Sequence, residues 1–287
     1  MRSISGRTMP TEGLEFVFSE DTRYGYAVGR VRALEARLLG ATDYERLVAA
    51  EQTEAVARTL MNCGYERWID AEKPDLWASG LRRASEENRQ RFLSLCLDEW
   101  LAQLVQLPDF FRDVRRRLKV VRNLPRGDHF SALLCREFQR LGWASLDAHV
   151  CRLVGNDAGS LTLDELLDEL EFEAALALAP RRSFAAAFVR LRQANYHVFR
   201  RERETARREF MTSGQVDLGQ ADRLGLLERD LRVAEIGFLK RARFATFGFE
   251  PVMAFYYLVE HELRNISCLL LPADSVPARR RNLVAYA

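Results

Sequence analysis

The sequence predicts an all-α fold, and three observations support this prediction. Leu, Ala, Glu and Arg recur along the 287-residue chain, only 8 prolines and 16 glycines interrupt it, and no stretch alternates Val, Ile and Thr as a strand would. The hydrophobic content of 48% is sufficient to bury at least one sizeable core. We therefore expect a series of short to medium helices around such a core.

The first helices are expected after a partly ordered extension of residues 1–22. Apolar residues at steps of three and four from Ala27 to Leu38 predict one helix. Gly40 is expected to close this helix as a left-handed cap. The next helix is predicted to begin at Thr42, because Thr42 and Glu45 have the spacing of a capping box.

Prolines and a second capping box divide the middle of the chain. Pro74, Pro108 and Pro125 are expected to mark helix boundaries, and Phe92–Val105 is expected to be helical. Thr162 and Glu165 have capping-box spacing and precede a predicted helix over residues 166–178.

Two longer helices are predicted near the C-terminal end. The first runs from Pro180 to about Met211 and contains an alternating-sign tract, residues 200–209, which predicts a solvated face. The second begins at Pro251 and ends before Pro272, with apolar residues in a three-four rhythm. We expect this helix to be half buried, with a polar face that carries Glu260, Glu262, Arg264 and Asn265.

Charge and cysteine usage exclude several classes of protein. The net charge of +2 comes from 43 basic and 41 acidic residues, a balance that argues against a dedicated nucleic-acid binder. The five cysteines form no CxxC pair and indicate a reducing cytoplasm. No window approaches the roughly 18 to 20 apolar residues of a membrane-spanning helix, so we expect a chain that neither crosses a membrane nor is secreted.

The sequence lacks the motifs of common catalytic and cofactor sites. No lysine follows a glycine as in a Walker A loop, Gly25–Gly29 does not form a dinucleotide fingerprint, and the four histidines lie far apart in sequence. A calcium loop ending at Glu165 would place Val154 and Ala158 where oxygen ligands are required. No catalytic, cofactor-binding or metal-binding residue is predicted.

Two segments resemble one known family. Residues 248–256, with Glu260, Glu262, Arg264, Asn265 and Ile266, are similar to the C-terminal signature of the C/d subunits of V-type ATPases, in which Gly-x-Glu-Pro-Val precedes an aromatic, an acidic residue and an Asn-(Leu/Ile) helix. Residues 24–34 resemble the opening Tyr-x-x-x-Arg-Val-Arg-Ala helix of the same family, which is followed by a Leu-Leu pair, here Leu38-Leu39.

This resemblance implies a fold, a function and a set of residues to examine. It implies a funnel-like assembly of three similar helical units, here residues 23–110, 111–210 and 211–287. The expected function is a non-catalytic subunit of a V-type or A-type rotary ATPase, without a cofactor, that links the proteolipid rotor ring to the central-stalk subunits and transmits torque during proton or sodium transport. It would lie on the cytoplasmic face, bound to the membrane only through the complex and binding neither nucleotide nor nucleic acid. The family-matched structural or interface positions are Tyr24, Arg30, Arg32, Glu250, Pro251, Glu262 and Asn265.

Two other classes of protein remain open at this point. A helical adaptor or regulator unrelated to rotary motors would need only amphipathic helices. A nucleic-acid binder would use the arginines of residues 115–117, 200–208 and 279–281, although nearby acidic residues weaken that interpretation.

Overall fold

The described residues are helical, which confirms the predicted all-α class. The computed structural model describes residues 14–50, 52–118, 162–213 and 218–270, together with positions 132, 135, 136 and 139. Three short 3-10 helices and one π-helical turn connect the α-helices of this part of the chain. Its α-helices are α1 (Gly25–Glu35), α2 (Ala41–Ala49), α3 (Thr53–Leu60), α4 (Trp77–Leu95), α5 (Glu99–Leu118), α6 (Leu163–Leu178), α7 (Phe184–Ser213), α8 (Leu218–Lys240) and α9 (Glu250–Leu270).

Three helix predictions are confirmed to within a few residues. The Thr162 hydroxyl accepts the Glu165 N–H, and the Glu165 carboxylate accepts the Thr162 N–H at 2.6 Å, so the predicted capping box starts α6. Helix α7 spans 30 residues, and Arg200 pairs with Glu204 on its charged tract. Helix α9 places Pro251 in its first turn, where a missing N–H has no intrahelical partner to lose.

The boundary between α1 and α2 differs from the prediction. Gly40 has φ −83° and ψ 173°, which is extended rather than left-handed backbone. It begins α2 as the N-cap, and the Asp43 carboxylate accepts the Gly40 N–H at 3.0 Å. The capping-box prediction for Thr42 and Glu45 is therefore wrong, because Asp43 supplies the carboxylate and the helix begins at Ala41.

Two predictions in the middle of the chain are also wrong. Pro108 lies inside α5 instead of ending a helix. Leu104 and Leu107 before the proline and Phe111 and Val114 after it are all buried, so continuing the helix keeps one apolar face in the core. This burial offsets the hydrogen bond that proline cannot make. Residues 92–105 are not one helix, because the chain is extended at Cys96 between α4 and α5. Pro125 lies outside the described residues.

Contacts divide the chain into two compact units. The first comprises residues 1–97 and 191–287, and the second comprises residues 98–190. The predicted division into three similar units and the funnel-like shape stay predictions.

The first unit is organised around α9. This helix packs most extensively against α4 and also contacts α1, α3 and α8. Asn88, which is buried on α4, donates to the Tyr256 carbonyl at 3.1 Å and to Glu260 Oε1 at 2.9 Å. The Phe92 and Tyr256 rings lie 5.1 Å apart between centroids. Helix α9 therefore has core contacts on several sides.

In the second unit, α5 and α6 pack against each other. Leu101 and Phe111 of α5 and Leu167 and Leu170 of α6 are fully buried. At the edge of this pair, the half-buried guanidinium of Arg115 forms an ion pair with Asp168. The described part of this unit therefore contains this helical pair, with an apolar interior, and residues 184–190 at the start of α7.

Among the described residues, no helix combines the length and hydropathy that crossing a membrane requires.

Candidate functional site

Most of the family-matched positions lie on α1 or α9, the two helices formed by the resembling segments. Six of the seven are in these helices, and Tyr24 directly precedes α1. The two helices pack against each other in the first unit although more than 200 residues separate them in the chain. The structure therefore joins the two ends of the sequence pattern in one region.

Glu262 forms the centre of this region. Its side chain is 1% exposed and accepts two hydrogen bonds, one from the Leu39 N–H at 2.8 Å and one from the Tyr65 hydroxyl. The pKa of Glu262 is raised to about 7, chiefly by burial and also by the Asp43 charge, although the hydrogen bonds from Tyr65 and Leu39 act in the opposite direction. Helix α9 is thereby connected to the α1–α2 turn and to the π-helical turn Met61–Tyr65.

Asn265 extends the same contact by one helical turn. Its side-chain amide lies 3.3 Å from the hydroxyl of Tyr44, and both residues are buried. Burial and, to a smaller extent, the Glu262 charge raise the pKa of Tyr44 above its ordinary value, so this hydroxyl stays protonated. We refer to Leu39, Tyr44, Tyr65, Glu262 and Asn265 as the Glu262 cluster.

The position of this cluster corrects the predicted polar face of α9. Glu262 and Asn265 were expected to face solvent, but both are 1% exposed, whereas Arg264 is exposed. Buried polar groups are stable when hydrogen-bonded, and Tyr44, Tyr65 and Leu39 supply those partners. The partners come from segments more than 190 residues away, so α9 alone could not reveal them.

Glu250 connects α9 to the N-terminal extension. It is fully buried, and its Oε1 accepts the Ser19 N–H at 2.5 Å. The Gly248 N–H donates to the Asp21 carbonyl at 3.2 Å beside it. Gly248 has φ +94°, and a Cβ there would lie 2.3 Å from Glu250 Oε2 and 2.7 Å from the Ser19 carbonyl oxygen. Only glycine fits this junction without a shift of the backbone or of Glu250.

Arg32 connects α1 to the segment that precedes α9. Its Nη2 donates to the carbonyls of Ala242, Arg243 and Ala245 at 3.2, 3.0 and 3.3 Å. Its Nη1 donates to Glu35 at 2.8 Å. Arg32 therefore has a clear structural role.

The other family-matched positions have different environments. Tyr24 is fully buried, and its hydroxyl accepts the Leu97 N–H at 3.0 Å. Pro251 is buried in the first turn of α9. Arg30 is exposed on α1, whereas Arg32 is half-buried and the other five positions are buried. Arg30 is therefore the matched residue that can contact another molecule directly.

A surface cavity of about 540 Å³ lies beside the α1–α2 turn. Asp43, Arg46, Asn62 and Cys63 are among its lining residues. Burial raises the pKa of the Cys63 thiol, the Asp43 charge raises it further, and Arg46 partly offsets this. A thiol with a raised pKa is a poor nucleophile at neutral pH. This cavity does not present an activated cysteine.

His261 is the second buried titratable group on α9. Its pKa is lowered to about 3, chiefly by burial and also by the charges of Arg264, Arg192 and Arg232. Its Nε2 lies 3.5 Å from Glu235 on α8. His261 is therefore a neutral packing residue.

The chemistry of this region is structural. A carboxyl group with a pKa near 7 is suited to proton transfer, but Glu262 is 1% exposed and both of its oxygens accept bonds from the protein. In the part of the chain that the structure describes, no group of three or more His, Cys, Asp and Glu side chains could hold a metal ion. The arrangement holds helices in register and gives no substrate access to the carboxyl group.

One sequence signal could have revealed the buried carboxylate. Phe255, Leu258, Glu262, Asn265 and Leu269 follow steps of three, four, three and four, and all five are buried. The polar pair thus occupies positions of the apolar stripe. The partners Ser19, Leu39, Tyr44 and Tyr65 carry no comparable local signal.

Comparison with known proteins gave no match for this chain among family models, curated proteins or solved structures. The family resemblance therefore stays a prediction from the two segments.

Proposed function

We propose that the chain is a non-catalytic subunit of a V-type or A-type rotary ATPase that links the proteolipid rotor ring to the central stalk. One observation carries the proposal: family-matched residues of each segment form hydrogen bonds with residues that adjoin the other segment. Arg32 of α1 binds the carbonyls just before α9, and Glu262 and Asn265 of α9 bind Leu39 and Tyr44 just after α1. The two family-matched segments thus stabilise the same helix–helix contact.

These contacts suit an element that transmits torque. Such an element must resist twisting, and side-chain bonds over sequence separations above 200 residues connect helices that would otherwise move independently. A buried, hydrogen-bonded polar group also restricts the register of packed helices more strongly than apolar contacts do. In this proposal the subunit lies on the cytoplasmic face and couples ATP turnover to the movement of protons or sodium ions.

The proposal can be tested by co-purification. The tagged protein is isolated from its native membranes at low and then high salt, and the retained chains are identified. We expect proteolipid-ring and central-stalk subunits to be retained. Recovery of neither, from membranes that contain an intact rotary ATPase, would refute the proposal and favour the helical-adaptor alternative.

A charge-reversal variant shows whether Arg30 belongs to the interface. Arg30→Glu changes the exposed family-matched position, and Arg82→Glu makes the same change at an exposed position of α4. If Arg30 contacts a partner, its variant loses the retained subunits at lower salt than the Arg82 variant does, because reversing a charge at an interface weakens electrostatic complementarity.

A further inference from the structure

A short stretch between α8 and α9 combines positive charge with exposed aromatic rings. From residue 236 to residue 249 the chain contains no Asp or Glu but contains Lys240, Arg241 and Arg243. Phe244 is 82% exposed and Phe247 is 42% exposed. We refer to residues 240–247 as the basic aromatic segment.

This segment is held in place by the rest of the first unit. The Arg32 guanidinium binds three of its carbonyls, those of residues 242, 243 and 245. The Arg241 guanidinium lies 4.5 Å from the ring centroid of Phe16 and 5.5 Å from that of Phe238. Phe244 is therefore exposed on a fixed backbone. A fixed, exposed phenylalanine contributes little to its own core and is available for contact with another surface.

The charge around these rings favours an anionic surface. Neither Arg241 nor Arg243 forms an ion pair with a described residue, in contrast to Arg23 and Arg200, which pair with neighbouring acids. The segment thus presents a local excess of positive charge on a chain whose total charge is nearly balanced.

We propose that the basic aromatic segment docks on an anionic phospholipid surface. Phe244 and Phe247 enter the interfacial region, and the exposed Arg243 side chain faces the headgroup phosphates, with the charge of Arg241 nearby. Interfacial anchors combine these two features, apolar rings and adjacent cations, and a fluid lipid surface needs no complementary pocket. This inference does not depend on the proposed rotary function, and it departs from the expectation that the chain is bound to the membrane only through the complex.

Co-sedimentation of the full chain with vesicles tests the inference. One vesicle preparation contains phosphatidylcholine alone, and the other contains equal parts of phosphatidylcholine and phosphatidylglycerol. We expect binding to the anionic vesicles that decreases with salt, and much weaker binding to the neutral ones. Phe244→Ala should weaken binding roughly tenfold and Arg243→Gln about fivefold at low salt.

Matched controls separate this site from general attraction to lipid. Met211→Ala removes a side chain that is 75% exposed, and Arg207→Gln removes an exposed cation, both on α7. These variants should bind like the original chain. An equal loss in the α7 variants would overturn the inference, as would absence of vesicle binding.

A second probe reports insertion directly. Phe244→Trp should show a blue shift of its fluorescence, measured as the difference from the unsubstituted chain, when anionic vesicles are added. An unchanged spectrum on vesicle-bound protein would contradict insertion at this position. Selective retention of the segment by RNA or by an acidic protein, without vesicle binding, would also contradict the proposal. Circular dichroism establishes that each variant is folded.

Discussion

The substitution Glu262→Gln should change how stability depends on pH. The pKa of the Glu262 carboxyl is about 7 in the folded chain, compared with an ordinary value of 4.5. Between these values the folded state binds more protons than the unfolded state, so the free energy of unfolding falls as pH rises. The favourable contribution is fully present below about pH 4.5 and is lost as pH rises through about 7.

The expected magnitude follows from these two values. At about 1.4 kcal/mol per pH unit, integration from about pH 5.5 to about pH 8 gives a loss of about 2 kcal/mol from Glu262. Glutamine does not titrate and keeps an acceptor for the Tyr65 hydroxyl or the Leu39 N–H. The unsubstituted chain should therefore lose about 2 kcal/mol more than the variant over this range.

Urea unfolding at the two pH values measures this difference. Trp68, whose ring centroid lies 5.8 Å from that of Tyr65, and Trp77 of the same unit report on unfolding of the first unit once Trp100 and Trp143 are replaced by phenylalanine. The exposed Glu45→Gln serves as a control and should show the same pH dependence as the unsubstituted chain. The same pH dependence in the Glu262→Gln variant would refute the reasoning, because the carboxyl would then not titrate in this range.

Three further predictions follow from other contacts. Gly248→Ala should lower the free energy of unfolding, measured in urea, by about 3 kcal/mol or more, because the added Cβ meets Ser19 and Glu250. Gly29→Ala is the control: its Cβ meets open space, so the free energy of unfolding should rise by about 0.5 to 1 kcal/mol. Equal effects of the two substitutions would contradict this prediction. Arg32→Met should cost about 1 to 3 kcal/mol and speed amide exchange around residue 245; unchanged exchange would argue against the bonds. His261 should show no NMR titration above about pH 4, and its contribution to stability should be lost as pH falls from 6.5 towards 3, opposite in sign to Glu262.

Local signals explain which parts of the fold could be predicted. Helix α6 begins at a capping box and helix α9 has a proline in its first turn. Both signals depend only on residues a few positions apart, so they can be recognised in the sequence. The prediction for Gly40 was wrong because glycine is favoured at helix C-termini but is also accepted at an N-cap. The Asp43 carboxylate, which accepts the Gly40 N–H, stabilises the N-cap arrangement. The predicted helix boundary at Pro108 was wrong because buried residues on both sides of the proline stabilise a continuous α5.

The candidate site was accessible from sequence only in part. The resemblance selected Glu262 and Asn265, and a strict three-four count along α9 would have placed both in the apolar stripe. Their hydrogen-bond partners could not be predicted, because Leu39 and Tyr44 are brought to α9 by tertiary packing over more than 220 residues. The environment of Glu262 therefore depends on the whole first unit.

The discontinuity of the first unit affects the order in which it can form during synthesis. Leu39 and Glu262 are separated by 223 positions. At roughly 5 to 20 residues per second, a ribosome needs about 11 to 45 s to progress from one to the other. During this interval the emerging N-terminal helices lack α9, the element that they surround in the finished protein. Residues 98–190 emerge earlier as an uninterrupted stretch, so their unit can assemble while the first unit still awaits its central helix.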